Sequence, residues 1–281
     1  MHTVGSQAIW SFLSESDKVR RDVSNEAIRT DRGLRVSCFT ELASKVAELQ
    51  YRNPDLVLMF RGQKDDYRTG GTQKSMSTMV PSIFRGIKKD DSLVMRLENL
   101  KCNSGKLINI IGKIEQNYAR RLRRQKILAW ALLQHYEVCS TPLLDATTSV
   151  RVAASFASME AGEQAYFFVL AVPGISGSIT ASAEAEMQIV RLSNACPPMA
   201  MRPHLQEGYM LGEYPDYDSH SPEYGYRIGE VDVGRRIVCK FCLNLEEFWD
   251  DDFPMISRRA LYPDPDPLKD RLKPHFASVL S

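Results

Sequence analysis

Cysteine is scarce in this chain: six residues in 281 do not make a disulfide framework. Reduced thiols in a cytosolic protein are the expectation. No run approaches the ~20 consecutive apolar residues of a membrane span, so no membrane partner is expected. The opening Met-His-Thr-Val-Gly-Ser-Gln-Ala-Ile-Trp lacks the charged and apolar regions of a secretory leader. An excess of one charge sign is missing as well: 36 Lys and Arg against 35 Asp and Glu leave +1, too little to steer the whole chain toward a polyanion. There is no Gly-x-x-x-x-Gly-Lys-Ser and no Gly-x-Gly-x-x-Gly, so the common phosphate-cradling loops are absent. No Gly-x-Ser-x-Gly elbow appears, which argues against a hydrolase triad. Cys239-Lys-Phe-Cys242 has no second pair and no histidine close behind it, and in a strand its thiols point to opposite faces. No metal is therefore expected. Internal repeats and low-complexity runs are also missing.

What is present is an ordinary apolar fraction, 43%, enough for a sizeable core. Residues 1–35 are polar and broken in pattern, and read as a mobile or loosely docked arm. Residues 36–281 read as one α+β domain. Phe39, Leu42, Val46 and Leu49 recur at helical spacing. Leu56 to Phe60 reads as a buried strand that Arg61-Gly62-Gln63 ends abruptly. Residues 64–79 form a polar loop long enough for a lid over a site. Asp90 to Cys102 reads as helical. Leu107 to His135 is the longest periodic stretch, with Arg120, Arg121, Arg123, Arg124 and Lys126 on its other side. That basic side reads as a solvated face, or alternatively as a nucleic-acid contact. Ala165–Val172, Met187–Leu192 and Arg235–Leu245 read as strands. Residues 194–203 read as loop, and 212–229 as an irregular surface insertion. The expectation is therefore an α+β fold: a central mixed or antiparallel sheet, with helices mostly from the first half.

The stretch from Gln134 to Ser158 gathers polar groups between apolar segments. Gln134, His135 and Tyr136 close a helix. Asp145 ends a short apolar run. Thr147, Thr148 and Ser149 precede a helix of small residues, and Ser149 or Thr148 is a natural N-cap. Arg61 at the end of a core strand suits a guanidinium fork for a phosphate or carboxylate, with a structural ion pair to Asp145 as the plainer alternative.

Taken in order, Phe60-Arg61-Gly62-Gln63, Pro81-Ser82-Ile83-Phe84-Arg85, Gln134-His135-Tyr136, Thr141-Pro-Leu-Leu-Asp145 and Ala153-Ala-Ser-Phe-Ala157 resemble the motif series of the FRG domain. Arg202 to Tyr209, with Gln206 and Gly208, resembles a later element of that series, and Leu261-Tyr-Pro-Asp264 its closing motif. The resemblance spans about residues 36 to 275. Glu137, Pro142 and Ala146 stand where the family commonly has glycine, arginine and an aromatic residue.

A fainter resemblance runs to mono-ADP-ribosyltransferases, through Arg61-Gly62 at a strand end and Thr147-Thr148-Ser149 before an alanine-rich segment. It implies an ADP-ribosyltransferase-like core and NAD as cofactor, with Arg61, Gly62, Gln63, Tyr136, Thr147, Thr148 and Ser149 around the nucleotide. It also implies a late catalytic acid, either Glu207 with Gln206 beside it or Glu186. His135 would hydrogen-bond the nucleotide or orient Asp145. The function so implied is an NAD-dependent ADP-ribosyltransferase or NAD glycohydrolase acting as a toxin or defence effector on a protein or nucleic-acid acceptor. The alternative is a non-catalytic nucleotide- or nucleic-acid-binding module.

Overall fold

A computed structural model describes residues 9–70, 75–87, 90–214 and 231–276. In chain order the strands are β1 Ser11–Leu13, β2 Ser16–Arg20, β3 Leu34–Val36, β4 Val57–Gln63, β5 Leu144–Thr147, β6 Gln164–Val172, β7 Ile179–Ser182, β8 Met187–Arg191, β9 Gly208–Glu213 and β10 Ile237–Asn244. The helices are α1 Asn25–Thr30, α2 Phe39–Arg52, α3 Asp90–Gly112, α4 Gln116–Arg124, α5 Lys126–His135, α6 Val150–Ser158, α7 Leu192–Ala195, α8 Met201–Leu205, α9 Arg258–Leu261 and α10 Pro267–Leu272. The protein is α+β with a mixed sheet, and its long helices lie in the first half. The chain forms two compact units, each drawn from three separate segments: Met1–Met79, Ala146–Ile175 and Asp232–Ala260 in the first; Val80–Asp145, Ser176–Val231 and Leu261–Ser281 in the second.

In the first unit the strands run β3-β10-β6-β4, with the last residues of β5 (Ala146 and Thr147) beside β4. β3 is parallel to β10 and the other pairings are antiparallel. One sheet face is apolar and carries α2 and α6, where the buried residues of α2 (Phe39, Leu42, Val46, Leu49) meet Phe60, Phe167 and Phe241. Phe60 and Phe167 lie 5.4 Å apart, and Phe167 and Phe241 6.3 Å, a row of rings crossing three strands. Each such side chain contributes about 1.5–3 kcal/mol on burial.

The stretch read as a mobile arm is built into this unit from residue 9 onward. Ile9, Phe12 and Ile28 are buried, and Ser24 caps α1 by accepting from the amide of Ala27. Nor does β4 stop at Phe60: it runs on through Gln63, opposite Tyr166 of β6. Gly62 permits this, because a Cβ there would collide with the carbonyl oxygen of Ala153 and sit 2.6 Å from the amide of Ala157. α6 therefore lies directly on the strand.

The other sheet face is polar. Lys240 on β10 is buried, and all three of its protons are used: it donates to the carbonyl of Asp31 at 2.5 Å, to Asp66 at 2.8 Å and to Ser77 at 2.7 Å. Arg68 donates to Asp66 at 2.6 Å and to the carbonyls of Thr30, Asp31 and Ser75. The described part of the 64–79 loop is thus tied down by an ammonium and a guanidinium that share one carboxylate. Both faces of β10 are buried.

The second unit holds the antiparallel hairpins β7–β8 and β8–β9. Its core centres on α3 and α5, with Leu107, Ile111, Leu128, Leu132, Val190 and Met210. The periodic stretch 107–135 is not one helix. α3 ends at Gly112, and α4 and α5 meet at Gln125, whose backbone leaves the helical region at φ −125°. Each break lets a separate apolar face turn onto the core. The loop expected at 194–203 contains the end of α7 and the start of α8. Of the insertion expected at 212–229, residues 215–229 lie outside the described residues.

Candidate functional site

The polar cluster is built at the C-terminal end of α5. Leu133, Tyr136 and Val138 are buried, so the helix has to finish within the core. It does so in a Schellman turn: the amide of Val138 donates to the carbonyl of Leu133 at 2.8 Å and that of Glu137 to Gln134 at 2.9 Å. Glu137 takes the left-handed conformation this turn requires, φ +57°. The turn directs Gln134 and His135 toward the loop that follows.

A chain of hydrogen bonds then sets the direction of every proton. The hydroxyl of Thr141 accepts from the amide of Leu143 at 3.2 Å and donates to Oε1 of Gln134 at 2.7 Å. Ser82 reaches the same oxygen at 3.5 Å and also accepts from the amide of Thr141 at 3.1 Å. With its oxygen engaged, Gln134 presents Nε2 to Oδ2 of Asp145 at 3.0 Å. Oδ1 of Asp145 lies 3.5 Å from Nδ1 of His135. A carboxylate only accepts, so in a neutral imidazole this contact suits a ring proton on Nδ1 and a lone pair on Nε2. Nε2 is buried and has no hydrogen-bond partner among the described residues. The His135 side chain is 4% exposed and that of Asp145 41%. The arrangement is a histidine backed by a carboxylate, with its acceptor nitrogen in reserve, suited to taking a proton from a hydroxyl or water.

Below it lies a second network, in which Tyr136, Arg202 and Asp266 are buried. The hydroxyl of Tyr136 donates to Asp266 at 3.0 Å, and Asp266 caps α10 by accepting from Leu268 and Lys269. The guanidinium of Arg202 lies 5.4 Å from the Tyr136 ring and 4.6 Å from the Tyr262 ring, and reaches the carbonyl of His135 at 3.5 Å. Burial, and then the Asp266 carboxylate beside it, hold the Tyr136 phenol well above its ordinary range. Tyr136, expected at the nucleotide, has no exposure and its hydroxyl is engaged: it supports the floor of His135.

The remaining expected residues fall in several places. Gln206 is buried at the end of α8 and donates to the carbonyl of Leu261 at 2.7 Å, which fixes the closing motif. Glu207 follows it in the left-handed region, φ +46°, with its side chain exposed. Glu186 occupies the β7–β8 turn, φ +49°. Gly208 passes close to the site: a Cβ would lie 2.9 Å from Cδ1 of Leu192 and 3.3 Å from Cε1 of His135. In the first unit, Arg61 and Gln63 leave β4 on the polar face, away from α6, in register with Phe168 and Tyr166. Gln63 is buried and its Oε1 lacks a partner among the described residues. Thr147 accepts from the amide of Ser149 at 3.1 Å, and Ser149 caps α6 by accepting from Val152 at 3.4 Å. Thr148 is exposed. Sequence reasoning assigned no role to Ser82, Thr141, Arg202 or Asp266. All four stand within or beside the motif series, which was the available signal.

Fold and site thus define an α+β protein whose second unit carries a carboxylate-backed histidine. Residues 57–165 match the FRG domain. The match takes in Arg61, His135, Asp145 and Thr147 to Ser149, and stops short of Gln206 and Glu207. No curated protein and no solved structure matches the chain. Among the described residues, no helix is long and apolar enough to cross a membrane.

Proposed function

We propose that this FRG-domain protein is an NAD-consuming enzyme that transfers or hydrolyses ADP-ribose, in the manner of a toxin or defence effector. The observation that carries the reading is the His135–Asp145 pair, with Nε2 of His135 as the only nitrogen of the ring left to accept a proton. In this reaction the bond between ribose C1′ and the nicotinamide nitrogen breaks, and its electron pair leaves with nicotinamide. The ribosyl oxocarbenium is captured by water or by an acceptor hydroxyl. The proton lost by that nucleophile passes to Nε2 of His135, and Asp145 stabilises the resulting imidazolium. Within the first unit, Arg61 and Gln63 share one strand face, and a guanidinium there suits a phosphate. Thr147 and Ser149 hold the start of α6. Asp145 fits the acidic role better than Glu207, because two neighbours fix its orientation while Glu207 is exposed.

The test is nicotinamide release from NAD, followed chromatographically. Asp145→Asn and His135→Ala should each lower the rate by about 10²-fold or more, and Glu207→Ala should change the rate less than either. A wild-type protein that neither releases nicotinamide nor binds NAD by calorimetry removes the reading. A nucleotide-binding role without turnover is favoured by one observation: the position beside Glu207 holds an amide, Gln206, already committed to Leu261. Binding without nicotinamide release would establish it.

A further inference from the structure

Charge is distributed unevenly along this nearly neutral chain. Between Lys101 and Lys126 stand eight basic residues and one acid, Glu115, an excess of seven positive charges where the whole chain carries +1. The segment forms the second half of α3, all of α4 and the start of α5, all within one unit. α4 turns Tyr118, Ala119 and Leu122 into the core and leaves Arg120, Arg123 and Arg124 exposed. Lys101, Lys106, Lys113 and Lys126 are exposed as well. Among the described residues, none of the eight basic groups lies within ion-pair distance of a carboxylate. A solvated helix face normally mixes signs, with acids at i±4 neutralising neighbouring bases. Here the repulsion is left standing.

We propose that this face docks the phosphate backbone of a nucleic acid, without regard to base sequence. Arg120, Arg123 and Arg124 lie at i, i+3 and i+4, roughly 5–6 Å apart at Cβ, a spacing at which neighbouring guanidiniums can each meet a phosphate of one strand. Three partners would accept positive charge, and the surface distinguishes them. An anionic bilayer held by an amphipathic helix needs an apolar face free to enter it, and the apolar face of α4 is in the core. A protein interface needs a desolvated aromatic or aliphatic anchor, and none of the exposed large apolar side chains falls between 101 and 126. A phosphate backbone needs neither, since released counterions supply the driving force.

The test is fluorescence anisotropy with labelled duplex and single-stranded DNA of mixed sequence, titrated at several salt concentrations. Log affinity should fall with log salt at a slope steeper than about −2, and a scrambled sequence should bind equally well. Arg120→Glu/Arg123→Glu/Arg124→Glu should lose at least about tenfold in affinity, and the corresponding triple Lys variant should stay within about threefold. Lys101→Glu/Lys106→Glu/Lys113→Glu, on α3 and the turn after it, removes charge independently, so an unfolded α4 variant leaves the proposal testable. Circular dichroism confirms that each variant is folded. Equal binding by wild type and both Glu variants, a salt-independent affinity, or capture by phosphatidylserine vesicles or polyglutamate with none by nucleic acid overturns the proposal. Neither result bears on NAD turnover.

Discussion

The side-chain amide of Gln134 donates to Oδ2 of Asp145 at 3.0 Å, and Thr141 fixes its orientation from behind. The direction of donation runs from Thr141 through Gln134 to Asp145, whose other oxygen faces Nδ1 of His135. Long-range 1H–15N spectra should therefore place the neutral-ring proton on Nδ1. Gln134→Leu removes the donor without adding charge. It should free Asp145 to rotate, mix the two tautomers, and slow nicotinamide release by about tenfold with little change in NAD affinity, because an orienting residue acts on the reacting geometry. A variant with unchanged spectra and unchanged rate would show that Gln134 does not position the carboxylate.

Glu137 occupies a position where the FRG resemblance expects glycine, and its φ of +57° explains why. The Schellman turn at the end of α5 needs a left-handed residue there whatever its identity, and a side chain makes that conformation costly. Glu137→Gly should stabilise the protein by up to about 1 kcal/mol, the penalty relieved being partly offset by the greater freedom of glycine in the unfolded chain. Urea denaturation with an unchanged slope is the measurement. A destabilised variant would mean that the Glu137 side chain makes a contact worth more than the strain.

Much of the site was legible in the sequence because local chemistry decided it. Ser149 caps α6 as its hydroxyl predicts, the spacing of Phe39, Leu42, Val46 and Leu49 marks the buried side of α2, and polar residues between apolar runs located His135 and Asp145. Long-range packing decided what was missed. Nothing local shows that Gly62 lets β4 continue beneath α6, or that Tyr136 spends its hydroxyl on an aspartate 130 residues away. Nor does anything local show that Lys240 is buried, since Asp31, Asp66 and Ser77 converge on it from separate segments. The breaks at Gly112 and Gln125 carry no proline, so periodicity alone ran through them.

Gly62→Ala should be among the most damaging small substitutions in the chain. The added methyl meets backbone on α6 rather than the end of a flexible side chain, so neither partner yields without moving an element. A cost at or above ~3 kcal/mol, the upper part of the usual overpacking range, is expected in chemical denaturation. Gly70→Ala, where a Cβ would meet nothing within 4 Å, is the control and should be nearly silent. Equal effects of the two would show that α6 does not press on β4.

The protein should also lose stability in alkali, earlier than its charge balance suggests. Burial pushes the Cys239 thiol up from 9.0 to about 12, against weaker opposing hydrogen bonds, that of the Phe12 backbone first, and burial raises Cys196 as well. Burial likewise raises the Tyr118 and Tyr136 phenols above 10.0. In each case the folded-state pKa lies above the unfolded one. The native form then keeps a proton that the unfolded form gives up, so the stability is fully present below the unfolded pKa and is lost as pH rises beyond it. The loss begins near pH 9 for the thiols and near pH 10 for the phenols, at about 1.4 kcal/mol per pH unit for each group fully engaged. Lys240 works the other way: burial lowers its pKa from 10.5 despite Asp66, so its contribution grows as pH rises toward 10.5. Cys196→Ala/Cys239→Ala isolates the thiols. Its urea midpoint should fall less steeply above pH 9 than that of the wild type, and parallel curves would show that these thiols are not shielded from water.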